Sequence, residues 1–222
     1  LFFDKNEISR VDDVIMMMRK YGVVAKQKTL SDVVRSYLSI MNINVATRVL
    51  TAVTHLGHKP SYVTYFALIR RLIHTRAREN MNIAMRLFQE MKRRRISLQS
   101  DLYSVLISAS HRVLGQIDLS ESLMKELVAN SDIKMTFRPY YTIIKCYAHA
   151  VECPDQEKMM NYWLKRMREH GFFPGHHVEK SYERLSIEMP PDISDRSRIR
   201  REFDHRRRRD GRSQRLDSSD RR

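Results

Sequence analysis

The chain has 222 residues, 42% of them hydrophobic, and its 41 Lys and Arg outnumber its 26 Asp and Glu to give a formal charge of +15. This composition is sufficient for an apolar core, and the absence of any run of about 18 apolar residues predicts no membrane-spanning helix. Two cysteines, Cys146 and Cys153, are too few for a disulfide framework. The excess of cations favours a polyanionic partner.

A two-helix pattern recurs along the chain with a period of 35 to 38 residues. Leu30, Tyr65, Tyr103 and Tyr140 hold equivalent places in successive units. Since one such unit cannot bury its apolar face alone, units of this length stack on their neighbours and form an α-solenoid.

In chain order, we predict a partial first unit, four complete units, a capping helix and a tail. The boundaries are 1–27 for the partial repeat or N-terminal cap, 28–62, 63–100, 101–137 and 138–175 for the units, 176–189 for the C-terminal capping helix, and 190–222 for an Arg-rich extended tail.

Each unit carries two apolar stripes at helical spacing, which predicts two helices that face each other. In the second unit we expect Tyr65, Leu87, Phe88 and Met91 to be buried and close together, with Arg70 exposed. The lone Trp163 falls in the second stripe of the last unit, so it is interpreted as core. A tetratricopeptide repeat, the rival class, carries its tryptophan in the first helix.

The best-preserved unit begins with Val63, Thr64, Tyr65, Leu68 and Ile69. Its second helix carries the further motif Ala84, Leu87, Phe88 and Met91. The turn that ends the preceding unit carries Gly57, Lys59 and Pro60. In these motifs the chain resembles the pentatricopeptide repeat proteins over roughly residues 1–185. The resemblance implies an all-α, right-handed solenoid of helix-turn-helix repeats, here followed by a basic C-terminal tail. It also implies that the first helices line a groove for single-stranded RNA, with one base for each repeat.

A second face of the first helices is basic and partly aromatic. Its cations are Arg35, Arg70, Arg112 and Lys145. The resemblance places the base-reading residues at Ser31, Phe66, Ser104 and Tyr141. No aligned pair matches the usual code of a small polar residue with Asp or Asn, so we expect phosphate contacts and ring stacking rather than sequence reading. The alternative interpretation is a solvated, charged helix face.

Two further basic runs are candidate phosphate contacts. The first comprises Lys92, Arg93, Arg94 and Arg95 at the end of a second helix, and the other Arg206, Arg207, Arg208 and Arg209 in the tail. Cations are also favourable at a helix C-terminus without any ligand. From 196 to 222 twelve Arg face five Asp and Glu, which gives +7 (12 − 5). Such a segment cannot bury enough surface to fold alone.

The sequence predicts no catalytic centre. It has no glycine-rich phosphate loop, and His176 and His177 lack the i, i+4 spacing of a helical zinc site. We therefore expect no cofactor, no metal and no small-molecule substrate.

These patterns favour a non-catalytic, RNA-binding structural component of the mitochondrial ribosome, which contacts rRNA and neighbouring ribosomal or ribonucleoprotein subunits. The location in a mitochondrion, or else another organelle, is implied by the resemblance alone. Two alternatives stay open: a factor for the processing, editing or stability of specific organellar transcripts, and a protein–protein scaffold.

Overall fold

The computed structural model describes residues 60–151 and 153–190 without interruption, and single or short groups of residues before them: 13, 16, 17, 20–22, 32, 46, 47, 49–51 and 54. The two continuous stretches form seven helices and no strand. They are α1 Tyr62–His74, α2 Arg78–Arg93, α3 Ser100–Leu114, α4 Ile117–Ala129, α5 Phe137–His149, α6 Gln156–Glu169 and α7 His176–Glu183. The predictions for Ser31, Arg35 and the Arg206–Arg209 run fall outside the described residues.

Local sequence explains where several helices begin and end. Ser61 caps α1, because its hydroxyl oxygen accepts a hydrogen bond from the Thr64 backbone N–H at 3.4 Å. After α3, Gly115 takes a left-handed conformation with a φ of 70°, and its N–H donates to the carbonyl of His111. Gly171 has a φ of 78° directly after α6. Glycine adopts this conformation without steric cost, so both positions reverse the chain.

The helices stack as repeating pairs. Within the units α1 packs on α2, α3 on α4, and α5 on α6. The first helices also pack on one another, so α3 lies between α1 and α5, and α7 covers α5 at the end of the described stack. This arrangement confirms the prediction of an all-α helical solenoid. In this part of the chain no helix combines the length and apolar character that crossing a bilayer requires.

The predicted stripes form one continuous core. Tyr65, Phe88, Met91 and Trp163 are at most 1% exposed, and Ala46, Val49 and Leu50 of the preceding unit are buried with them. Burial of each large apolar side chain stabilises the fold by about 1.5–3 kcal/mol. The expectation for Leu87 is wrong, because this side chain is only partly buried. The buried line of α2 runs through Met81, Ala84, Phe88 and Met91, and Leu87 lies at its edge.

Tyrosine–carboxylate hydrogen bonds join α4 to α3 and to α5. The Tyr103 hydroxyl donates to Glu126 Oε1 at 2.6 Å, and the Tyr147 hydroxyl donates to Glu121 at 2.5 Å. Burial, followed by the hydrogen bond to the carboxylate, raises the pKa of both tyrosines, so they stay protonated donors. Each of these carboxylates also pairs with a lysine, Glu126 with Lys92 and Glu121 with Lys125.

Candidate nucleic-acid interface

Three successive first helices line one open groove with a volume of about 840 Å³. Residues of α1, α3 and α5 form its walls, and the second helices contribute none of its lining. Phe66, Arg70, Ser104, Tyr141 and Lys145, all predicted site residues, lie in this groove. Arg112 lies there too, so the structure brings together six of the predicted positions on a single surface.

The groove is strongly positive. It contains five exposed cations, which are Arg70, Arg76, Arg112, Arg138 and Lys145. Asp101 is its one lining carboxylate, which leaves a charge of +4 (5 − 1) before any histidine is counted. Asp101 accepts hydrogen bonds from the Tyr62 hydroxyl and the Leu102 backbone N–H. Among the described residues no carboxylate pairs with any of the five cations.

Two aromatic columns flank the centre of this surface. On α1, Tyr62 stacks on Phe66 with ring centroids 5.5 Å apart, and the Arg70 guanidinium lies 5.8 Å from the Phe66 centroid. On α5, Tyr141 has Phe137 at 6.2 Å and the Lys145 Nζ at 5.8 Å. In both columns the stacked ring lies four residues before the central ring and the cation four residues after it.

This packing changes the interpretation of the two rings. A base that stacks on Phe66 or Tyr141 would share the ring with Arg70 or Lys145, and base stacking on either ring stays a prediction. In the structure the rings hold the two cations in place through cation–π contacts. Each cation is thereby directed over the groove, where it can meet a phosphate.

Serines replace the rings on α3, the middle helix of the groove. Ser104 occupies the place of Phe66 and Tyr141, but it is only 4% exposed, and its hydroxyl donates to the Ser100 carbonyl at 3.0 Å. Its predicted role as a base reader stays a prediction, since only a small part of the side chain faces the groove. Ser108, one turn later, is half-buried and also lines the groove.

Histidines lie where α1, α3 and α5 end: His74, His111 and His149 all line the groove. Burial lowers the pKa of His111, and the nearby His149 and Arg112 act in the same direction, so its neutral form is favoured at pH 7. Its Nδ1 is buried, and no described residue forms a hydrogen bond with it. Leaving a buried polar atom unpaired costs about 1–3 kcal/mol.

The basic run from Lys92 to Arg95 belongs to a different surface, because none of its members lines the groove. Lys92 Nζ lies 2.9 Å from Glu126 Oε1, Arg93 pairs with Glu90 at 2.9 Å, and the Arg94 guanidinium pairs with the same carboxylate. Three members are therefore engaged by carboxylates, and Arg95 lies in the turn after α2 with a φ of 54°. The predicted phosphate contact of this run stays a prediction, and the ion pairs weaken the case for it.

Two groove cations were missed by the sequence reasoning. Arg138 precedes Thr142 by four residues and Lys145 by seven, so the helical period was sufficient to place it on this face. Arg76 lies beyond the end of α1 with a φ of 57°, and no periodic signal identifies a residue in such a turn. His111, another unpredicted lining residue, belongs to the α3 face next to Arg112.

The groove has few groups suited to covalent chemistry. Burial raises the pKa of the Cys146 thiol to about 12, and its Sγ lies 3.8 Å from the Ile107 carbonyl, so it is a protonated core group. Within 60–151, 153–190 and the isolated described positions, no three His, Cys, Asp or Glu side chains are grouped to hold a metal ion. The chemistry that the groove offers is charge and hydrogen bonding.

Comparisons with known proteins agree with this architecture. The model of the pentatricopeptide repeat domain matches residues 48–111, a stretch that includes α1, α2 and most of α3. No curated protein sequence matches the chain significantly.

Among solved structures, the chain is similar to nuclear proteinaceous RNase P 2 from A. thaliana, with a TM-score of 0.58 at 13% identity. It is also similar to PPR10, a pentatricopeptide repeat protein of maize, in complex with an 18-nt psaJ RNA element, with a TM-score of 0.56 at 15% identity. Both alignments cover 80% of this chain, but only 38% of the first protein and 26% of the second. Residues 48–111 thus match the pentatricopeptide repeat domain, and the stacked helix pairs have a fold similar to that of a solved pentatricopeptide repeat protein.

Proposed function

We propose that the chain binds single-stranded RNA along the groove of α1, α3 and α5, mainly through its phosphates. The observation that carries this proposal is the set of five exposed groove cations without a carboxylate partner among the described residues. Elsewhere on the fold, cations such as Lys92 and Lys125 are paired with Glu126 and Glu121. Unpaired cations on a continuous surface suit a polyanion, since binding releases the counterions of each phosphate.

The contacts between cations and rings favour binding without strong sequence preference. Arg70 and Lys145 are held over the rings at positions equivalent to each other, so they present charge rather than a base-specific hydrogen-bonding pattern. A structural role fits such binding, because an RNA in a fixed assembly is positioned without base reading. We therefore propose a non-catalytic component of a ribonucleoprotein, with the mitochondrial ribosome and its rRNA as the assembly.

A second candidate is a factor for RNA processing. The RNase P 2 to which the fold is similar is a ribonuclease by name, and the chain matches 38% of its length. A processing factor for specific transcripts needs a sequence preference, whereas the structural role does not.

Binding to labelled single strands of unrelated sequence distinguishes the two functions. We expect similar dissociation constants across the strands and a log–log dependence on salt with a slope of about −0.7 for each phosphate that is neutralised. Fluorescence anisotropy at increasing KCl measures both. Selection of one short motif over the others would favour the processing role. A partner whose binding is equally strong at low and at high KCl would favour a protein scaffold.

The tail is proposed as a second RNA-binding segment. Deletion of 196–222 removes a charge of +7 (12 − 5). We expect the deletion to weaken RNA binding and to flatten its salt dependence, by about 0.7–0.9 in slope for each phosphate that the tail neutralises. The helical circular dichroism of the body should be unchanged, and an unaltered slope would show that the tail does not engage phosphate.

A further inference from the structure

Three non-glycine residues take a left-handed backbone conformation in the described part of the chain. Their φ angles are 57° at Arg76, 54° at Arg95 and 53° at Ser186. A Cβ atom crowds the backbone in this conformation, so glycine adopts it readily and other residues adopt it at a cost. Asparagine, aspartate and histidine are the other residues enriched there, and arginine is not. Two arginines therefore stand at positions that favour glycine.

The chain itself has glycine at corresponding turns of other units. The N–H of Arg95 after α2 and the N–H of Gly171 after α6 each donate to the carbonyl three residues earlier. The two turns are thus alike, and Gly171 has a φ of 78°. Gly115, with a φ of 70°, follows the first helix α3 as Arg76 follows the first helix α1. Turns of both kinds accept glycine, so the fold itself does not require an arginine at either place.

Hydrogen bonds on both sides of Arg76 fix its turn. The Arg76 N–H donates at 3.1 Å to a carbonyl in the last turn of α1. The Thr75 hydroxyl donates to the Leu72 carbonyl at 2.6 Å. The same oxygen accepts from the Ala77 N–H at 3.3 Å and from Asn80 Nδ2 at 2.8 Å. An unfavourable backbone conformation persists where the surrounding structure determines it in this way.

The two arginines differ in where their side chains lie. Arg76 is exposed and lines the groove, and no described carboxylate pairs with it. The other four groove cations lie on α1, α3 and α5, whereas Arg76 lies in the turn after α1. Arg95 is also exposed, but it does not line the groove. The two residues thus share a backbone conformation and differ in their access to a ligand in the groove.

We propose that Arg76 binds a phosphate of the RNA and that the fold keeps this arginine at the expense of its own stability. The inference rests on the proposed RNA binding. A glycine at this position relieves the backbone and removes the charge, whereas a lysine keeps both the charge and the conformational cost. Affinity for RNA and stability of the fold are therefore opposed at Arg76. At Arg95 a glycine relieves the backbone without removing a groove charge.

Arg76→Gly tests this opposition, with Arg95→Gly as the matched control. Without RNA, we expect each variant to melt about 2–4 °C above the unaltered chain, as relief of a small conformational cost gives in a domain of this size. Arg76→Gly should bind oligouridine about fivefold more weakly at 0.1 M KCl, with a log–log salt slope smaller by about 0.7. Arg95→Gly should change this affinity by less than about twofold, the general effect of one charge. Arg76→Lys should keep the affinity and the melting temperature of the unaltered chain.

The outcomes separate this inference from the proposal on which it rests. An unchanged affinity in Arg76→Gly, an equal loss of affinity in Arg95→Gly, or no rise in the melting temperature of Arg76→Gly would overturn the inference and leave RNA binding intact. Absence of salt-dependent oligouridine binding by the unaltered chain would overturn the proposed function itself. Higher melting temperatures in both glycine variants, with weaker RNA binding in Arg76→Gly alone, would establish the role of Arg76.

Discussion

Replacing Arg70, Arg112 and Lys145 together by alanine is expected to weaken RNA binding about 100-fold at 0.1 M salt, equally for strands of different sequence. Each cation removed takes about 0.7 from the log–log salt slope on a single strand, so three remove about 2. This electrostatic contribution vanishes near 1 M salt. Between 1 M and 0.1 M salt, which is one decade, a slope that is smaller by about 2 corresponds to an affinity about 100-fold lower. Anisotropy titrations at several KCl concentrations measure both quantities.

The matched control removes the same charge from the other side of the fold. Arg86, Lys158 and Lys165 are exposed on the second helices α2 and α6 and do not line the groove. Their triple alanine variant should lower affinity much less, by the general effect of net charge alone. Equal losses in the two variants would mean that the groove is not the binding surface. A loss confined to one RNA sequence would contradict phosphate-based recognition.

Phe88→Ala is expected to cost about 3–5 kcal/mol of the free energy of unfolding, the range for truncation of a buried phenylalanine. The ring is 0% exposed and meets Tyr103 edge to face, with centroids 5.3 Å apart. It thereby joins the core of one unit to the first helix of the next. Because domains are typically stable by only about 5–15 kcal/mol, such a loss is a large share of the total.

Leu87→Ala is the natural comparison, since Leu87 precedes Phe88 on the same helix and is only partly buried. It leaves a smaller cavity and should cost less than about 2 kcal/mol. Urea denaturation followed by circular dichroism gives both values. A cost for Phe88→Ala no greater than that for Leu87→Ala would show that the interface between units does not depend on this ring.

The helical period predicted the architecture because burial follows it closely. The stripe through Tyr65, Leu68, Ile69 and Leu72 is buried along its whole length, as one face of a helix between two neighbours must be. Leu87 departs from its expectation for a geometric reason. Leu87 lies beside the buried line of α2, so its side chain is partly exposed to solvent. A motif of residue types does not distinguish such an edge position from a fully buried one.

The site was harder to predict than the fold. The line through Arg70 and Lys145 follows from helical spacing, and the structure places both residues in the groove. The sequence does not reveal that Phe66 and Tyr141 each contact a cation, since this depends on the rotamers of side chains four residues away. Nor does it reveal that Lys92 is paired with Glu126, a residue 34 positions along the chain. A run of charged residues in the sequence therefore overestimates the number of unpaired charges on a surface.

RNA is expected to lie against the first helices, and photo-crosslinking tests this placement. A single strand containing 4-thiouridine is irradiated in complex with the full chain, and the crosslinked peptides are identified by mass spectrometry. We expect crosslinks in α1, α3 and α5, near Phe66, Ser108 and Tyr141, and we expect them to disappear when unlabelled single strand competes. Crosslinks confined to the second helices, or to the Lys92–Arg95 run, would contradict it.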